Sequence, residues 1–224
     1  RNYDIQVQRG RMSEADVDRR MSLLTGTTDY KGLSSADVII EAVYENIDVK
    51  VETFKKIEAV AKPGAILASN TSGLDIDKMA EATGRPDAVI GLHFFSPANV
   101  MKLLEVVRGE NTSKETIATS MKLGRTLNKI AVLSGNAPGF IGNRMLSGYT
   151  QQAGEIILQG ATPYQVDNVL LQFGMPMGPF QMNDLVGLDL GWRARKLSGM
   201  KPEDVPITAR VADRLCELER FGQK

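Results

Sequence analysis

From residue 35 the chain alternates between two hydrophobic periods. "SADVIIEAV" (35–43) is a short β-branched run closed by polar residues, the pattern of a buried strand. "DVKVETFKKIEAVAKPG" (48–64) places Val51, Phe54, Ile57 and Val60 at helical spacing and stops at Pro63-Gly64. "AILASNTS" (65–72) is again strand-like, and "LDIDKMAEATGRPD" (74–87) opens with an acid and closes at Gly84 as a helix does. "AVIGLHFF" (88–95) and "KLLEVVRG" (102–109) predict strands, and "IAVLSG" (130–135) a last one. Between them "TSKETIATSMKLGRTLNK" (112–129) predicts a helix capped by Thr112 or Ser113, with Glu115 spaced from Thr112 as in a capping box. Strands alternating with helices of 10–17 residues predict βαβ units and a mostly parallel sheet.

The alternation stops near residue 136. Helical patterns then cover 139–160, 162–174 (Pro163 at an allowed first-turn position) and 178–199, and a last one runs to about Arg220. The first 24 residues predict one charged helix. The expected fold class is therefore α/β followed by all-helical: residues 1–136 as one domain, 137–224 as the second.

Composition narrows this little. Lys+Arg and Asp+Glu both number 27, so no basic excess points to nucleic acid. One cysteine, Cys216, allows no intrachain disulfide and no cysteine-built metal site. No run of 18 apolar residues predicts a membrane span, and the N-terminal segment lacks the apolar core of a signal peptide.

The chemistry concentrates in "GLHFFSPANVMKLLEVV" (91–107). His93 is the only histidine, at the end of a predicted strand, where open α/β sheets place their sites. Glu105 stands in the next strand among Leu103, Leu104, Val106 and Val107, where an unpaired carboxylate would meet a desolvation cost of about a few kcal/mol. A His93–Glu105 pair relieves that cost and fixes the tautomer of a general base. The plainer alternatives are a core histidine bonded to a backbone carbonyl and an outward-facing Glu105. "SNTSG" (69–73) suits contact with a ligand oxygen and equally a turn with a helix cap. In "EAVYENIDVK" (41–50), Glu41, Glu45 and Lys50 form, on composition alone, a solvated charge cluster. In "NAPGFIGNR" (136–144), Asn143 falls in the first turn of a helix, where it either reaches a cleft or packs. No G-x-G-x-x-G occurs. The residues alone thus give an α/β unit, a helical unit and a His–Glu pair, without a substrate.

"SNTSGLDI", "GLHFFSPANVMKLLEVV", "PGFIGNRML" and "GMPMGPFQMNDLVGLD" occur in an order and at separations that closely resemble the L-3-hydroxyacyl-CoA dehydrogenases of fatty-acid β-oxidation. "HFFSPANVMKLLEVV" and "LCELERFGQK" look most like the multifunctional members, which join an enoyl-CoA hydratase/isomerase domain to the dehydrogenase. The resemblance implies an NAD-binding Rossmann domain and a helical domain that shapes an acyl-CoA cleft. The first strand and the glycine-rich turn are expected upstream of Arg1.

Carried over by position, His93 matches the catalytic base and Glu105 the carboxylate that orients it. Ser72 matches the serine at the substrate's 3-hydroxyl, and Asn143 the asparagine that helps hold the reacting oxygen. Glu45 and Lys50 match residues lining the nicotinamide side; Ser72 and Ser96 join them as cofactor contacts, and Ser69 and Asn70 lie nearby. No metal is implied. The implied reaction is oxidation of a (3S)-hydroxyacyl-CoA by NAD. The implied partners are the acyl-CoA thioester and either a second copy, through the helical domain, or a covalently linked hydratase domain. The implied location is the cytoplasm of a bacterium, or otherwise a peroxisome or mitochondrion. Two other readings remain at this point: a non-catalytic scaffold fragment, and a Rossmann dehydrogenase of free β-hydroxy acids.

Overall fold

The computed structural model describes residues 2–223. They form two compact units, one reaching to Phe140 and the other starting at Ile141.

The first unit is built on a five-stranded sheet: β1 (Val38–Glu41), β2 (Ile66–Ser69), β3 (Val89–Phe94), β4 (Leu103–Arg108) and β5 (Ile130–Gly135). Their spatial order is their chain order. β1, β2 and β3 pair in parallel, β4 and β5 pair in parallel, and β3 meets β4 antiparallel. The mostly parallel sheet is thus observed, with the direction reversed at the β3–β4 step because the short "FSPANVMK" segment turns back without a crossover helix.

Helix α3 (Ile47–Glu58) and helix α4 (Ile76–Glu81) cover one face of the sheet; α5 (Lys114–Thr126) covers the other. Strand alternation divides the apolar residues accordingly. Ile39, Leu67, Val89 and Val107 meet Phe54, Ile57, Ile76 and Met79 on the first face. Ile66, Ala68, Ile90, Leu92, Leu104 and Val106 meet Ile117, Met121 and Leu123 on the second. By the same period of two, Glu41, Ser69, His93 and Glu105 continue the columns of the first face.

Several boundaries differ from the sequence reading. The N-terminal segment is two helices, α1 (Asn2–Gln8) and α2 (Glu14–Met21), because Gly10 turns the chain at φ 64° and Ser13 caps the second. Ser113, not Thr112, caps α5: its Oγ accepts the Thr116 N–H at 3.1 Å. The Thr112–Glu115 box does not form. Thr112 instead accepts the Gly109 N–H and donates to the Val89 carbonyl, tying β4's exit to β3's start. α4 is shorter than its pattern, since Arg85 and Pro86 begin a separate 3₁₀ turn.

The second unit contains α6 (Gly142–Leu158), α7 (Pro163–Phe173), α8 (Pro179–Val186), α9 (Asp189–Leu197) and α10 (Ile207–Glu217). The stretch read as one helix over 178–199 is α8 and α9, broken where Gly187 takes φ 102°. Gly178 has no side chain to cap α8. Asp167 of α7 does it instead, accepting the Phe180 and Gln181 N–H groups at 3.0 and 2.9 Å. Thr162 and Gln165 form a full capping box on α7.

Gly91 sits where β3, β4 and α4 converge. A Cβ there would lie 2.8 Å from the Val107 Cβ and 3.0 Å from the Ile76 Cδ1. Gly91→Ala is therefore expected to lower the stability of the first unit by about 1–3 kcal/mol through overpacking, read as a shift of its denaturant midpoint with unchanged slope.

Candidate active site

Glu41 ends β1, Ser69 ends β2, and His93 is the last residue but one of β3. All three lie at the carboxyl ends of parallel strands, where open α/β sheets bind ligands. Two clusters occupy this edge.

The first is the His93–Glu105 pair. The two residues stand directly opposite in the β3–β4 register. His93 Nδ1 lies 2.8 Å from Glu105 Oε2. His93 is 6% exposed and Glu105 1%, so the outward-facing reading of Glu105 is excluded. The Phe95 ring is tilted against the imidazole at 4.4 Å between centroids, and the Phe140 ring at 5.9 Å. The carboxylate commits Nδ1, so Nε2 is the nitrogen that can take up a proton.

The second cluster overturns the solvated reading of 41–50. Glu41 is 4% exposed and Lys50 1%. The Lys50 Nζ donates to both Glu41 oxygens at 2.9 and 3.0 Å and lies 3.3 Å from Glu45 Oε2. Lys50 lies on the buried face of α3 with Thr53, Phe54 and Ile57 at helical spacing, and Asn46 caps that helix by accepting the Asp48 and Val49 N–H groups. Ser69 Oγ donates to Glu41 Oε1.

Glu45 lies above this pair with 42% of its side chain exposed. Its Oε1 accepts the Thr71 hydroxyl at 2.7 Å, the Ser72 N–H at 2.8 Å and the Ser72 hydroxyl at 3.0 Å. Burial pushes the Glu45 carboxyl up. The hydrogen bonds from Thr71 and Ser72 and the Lys50 charge outweigh it and hold the group below its ordinary range.

Ser72 is exposed on the 70–75 turn, and Ser96 is exposed in the loop after β3, beside the cis Ser96–Pro97 bond. Asn70 accepts the Phe94 N–H at 2.8 Å, fixing the turn to the end of β3. Asn143 lies in the first turn of α6 and belongs to the second unit. The structure thus brings His93 to Glu105, and Glu45 to Lys50 and Ser72.

The sequence reading gave no site role to five further residues. Glu41 carried the same signal as Glu105, a carboxylate within an apolar strand run, and that signal was sufficient to find it. Thr71 accepts the Leu74 N–H at 2.9 Å and so shapes the serine turn. Asn136 gives its amide to Asp75 and Asp77, both at 2.6 Å, and accepts the Ile76 N–H, joining the exit of β5 to the start of α4. The Asn136 amide is also the main reason the Asp75 carboxyl lies below its ordinary range. Phe140, at φ 49°, is 1% exposed against the imidazole. Lys129 donates to the Met101 carbonyl at 2.7 Å and to that of Ala98, pinning the loop after His93. No local pattern in the chain marks the last three.

The polar groups fit the nicotinamide side of a dinucleotide. The exposed Ser72 hydroxyl gives its proton to Glu45 and keeps its lone pairs, and the Glu45 carboxylate is itself partly exposed, so the turn presents acceptors to the N–H or O–H donors of a carboxamide or ribose. Among the described residues, no group of three or more His, Cys, Asp or Glu side chains is placed to hold a metal. No helix among them is long and apolar enough to cross a membrane.

The family described as the 3-hydroxyacyl-CoA dehydrogenase NAD-binding domain matches residues 1–137, and the 3-hydroxyacyl-CoA dehydrogenase C-terminal domain matches residues 139–224. The chain is 47% identical to a peroxisomal bifunctional enzyme of Danio rerio, over 95% of its own length and 32% of that protein's. It therefore spans about a third of that relative. A (S)-3-hydroxybutyryl-CoA dehydrogenase from Ralstonia eutropha superimposes with a TM-score of 0.86 at 33% identity, over 99% of this chain and 80% of the other. The dehydrogenase part of a multifunctional enzyme from C. elegans superimposes with a TM-score of 0.66 at 29% identity, over 99% of this chain and 50% of the other. The chain belongs to the 3-hydroxyacyl-CoA dehydrogenase family, with the NAD-binding part in its α/β unit and the C-terminal part in its helices.

Proposed function

We propose that this chain is the dehydrogenase part of a larger fatty-acid β-oxidation enzyme that oxidises (3S)-3-hydroxyacyl-CoA to 3-ketoacyl-CoA. The observation that carries the reading is the buried His93–Glu105 pair, 2.8 Å apart at the carboxyl ends of the parallel strands β1, β2 and β3. The names of the relatives favour a peroxisomal location. The acyl-CoA thioester as substrate, and a hydratase domain or a second copy as partner, belong to the same proposal, as does the assignment of 1–136 and 137–224 as the two domains.

The chain's residues act as follows. His93 Nε2 takes the proton of the substrate's 3-hydroxyl. The Glu105 carboxylate on Nδ1 stabilises the imidazolium that results and keeps the ring oriented. Ser72 holds the reacting oxygen from the turn. Glu45, with Lys50 beneath it, and Ser96 line the nicotinamide side. NAD, when bound, supplies the hydride acceptor. Phe95 and Phe140 keep water from the ring of His93.

His93→Ala in the full-length protein is expected to lower turnover of a 3-hydroxyacyl-CoA by about 10²–10⁴-fold, while NADH titration by fluorescence shows unchanged binding. Near-normal turnover removes the histidine from this role. Glu105→Gln loses a hydrogen bond to a charge, and kcat is expected to fall about 10- to 100-fold. Activity that survives Glu105→Gln intact contradicts the orienting role. Comparing the CoA thioester with the free β-hydroxy acid tests the substrate class: only the thioester is expected to turn over.

Glu45 predicts a pH dependence of stability. Its folded pKa lies below the ordinary 4.5, so its contribution is fully present above that value. The contribution is lost as pH falls through the lower folded value. The stability difference between wild type and Glu45→Gln is therefore expected to be constant at neutral pH and to close on acidification below about 4.5. Denaturation curves across that range measure it, and a difference that persists at low pH contradicts the assignment.

A further inference from the structure

Glu41 and Lys50 are too deeply buried to meet a substrate directly. Each is within a few per cent of full burial, and every hydrogen bond shown for the ammonium goes to Glu41, to the Val43 carbonyl or toward Glu45. Burying such a pair is a poor way to gain stability, because desolvation of both charges offsets their attraction. Its geometry has another consequence. The ammonium bridges two carboxylates, and the second, Glu45, carries the serine turn on its other oxygen through Thr71 and Ser72. A second route enters the same turn. Ser69 donates to Glu41, and the Thr71 N–H donates to Ser69 Oγ at 3.2 Å. The two routes close a ring of ion pairs and hydrogen bonds that links the end of β1, the end of β2, the start of α3 and the turn bearing Ser72.

We infer that Glu41 is a positioning residue for the substrate hydroxyl: through the buried Lys50 ammonium it fixes the Glu45 carboxylate, and through Glu45 and Ser69 it fixes Ser72. This rests on the reading of Ser72 as the residue that meets that hydroxyl. With Glu41 neutral, the ammonium keeps Glu45 as its one charged partner in the ring. Glu45 is then drawn down toward Lys50 and away from the Ser72 amide and hydroxyl. The turn remains, held by Thr71 and by Asn70 on Phe94, but Ser72 loses its fixed direction.

The test uses the full-length protein and the variants Glu41→Gln, Ser72→Ala and the double variant, each shown folded by circular dichroism. Glu41→Gln is expected to lower kcat/KM for a 3-hydroxyacyl-CoA about tenfold, and the double variant is expected to match Ser72→Ala within about twofold, because the two act in series. Without substrate or cofactor, hydrogen exchange of the amides in 71–74 is expected to quicken about tenfold in Glu41→Gln while β4 and β5 stay unchanged. If Glu41→Gln does not fold, Glu41→Gln combined with Lys50→Met removes both buried charges together and takes its place in the same comparisons. Effects of Glu41→Gln and Ser72→Ala that multiply, or unchanged exchange in 71–74, overturn the inference while an active wild type leaves the dehydrogenase reading standing. A wild-type protein that binds NADH and does not oxidise the thioester overturns that reading first, and the exchange measurement still decides whether Glu41 fixes the turn.

Discussion

A carboxylate in the middle of a sheet face, surrounded by leucines and valines, is tolerable only if something directly across the strand pair receives it. Glu105 is 1% exposed, and removing such a group from water carries a penalty of several kcal/mol even after the protein relaxes. The imidazole opposite offers a hydrogen bond to a charge, worth about 1.5–3 kcal/mol net. That exchange works in one register alone. A slip of one residue between β3 and β4 would move Glu105 to the face where Leu92, Leu104 and Val106 meet α5, with no polar partner. The strand pairing that builds the core and the pairing that builds the site are therefore one constraint.

The same device recurs at the other end of the site. Glu41 also closes an apolar strand, and its partner, the Lys50 ammonium, is supplied by the first helix after the strand rather than by the neighbouring strand. In both places the sheet provides rigidity and the polar residue provides direction. Between them lies the 70–75 turn, tied by Asn70 to the end of β3 and by Thr71 and Ser72 to Glu45. Functional groups held this way keep their geometry because the supporting elements cannot move separately.

The fold was largely legible because its signals are local. β-branched runs marked the five strands within a few residues, and Gly174 and Thr162 marked the ends of α7 as helix chemistry requires. Where local signals competed, the reading failed. Thr112 and Ser113 are equivalent caps in sequence, and the Val89 carbonyl, distant along the chain, decides between them by taking the Thr112 hydroxyl. Gly187 is one of many glycines until its left-handed backbone splits the helix. In the site, His93 and Glu105 stood out because each is costly alone in an apolar run. Glu41 is costly for the same reason, but its neighbours Tyr44, Glu45 and Asn46 are exposed and give the segment a solvated composition. Composition averages over a segment, whereas burial belongs to one side chain.

Phe140 shows how competing terms are resolved at the edge of this site. A residue with a β-carbon in the left-handed region costs about 1–2 kcal/mol, which glycine would avoid. Glycine stands immediately before it at 139 and also takes positive φ, so the chain makes two consecutive left-handed steps here. Gly73 must stay bare for this to happen, since a Cβ there would lie 3.1 Å from the Gly139 nitrogen. The second step carries a phenyl ring because the ring is 1% exposed and lies against the imidazole. Burying it contributes about 1.5–3 kcal/mol, enough to outweigh the strain. A glycine at 140 would relax the backbone and leave the polar pair without its apolar cover, where water would weaken the attraction between His93 and Glu105. The strained backbone is therefore the cheaper arrangement, given that the imidazole must be both dry and at the edge of the sheet.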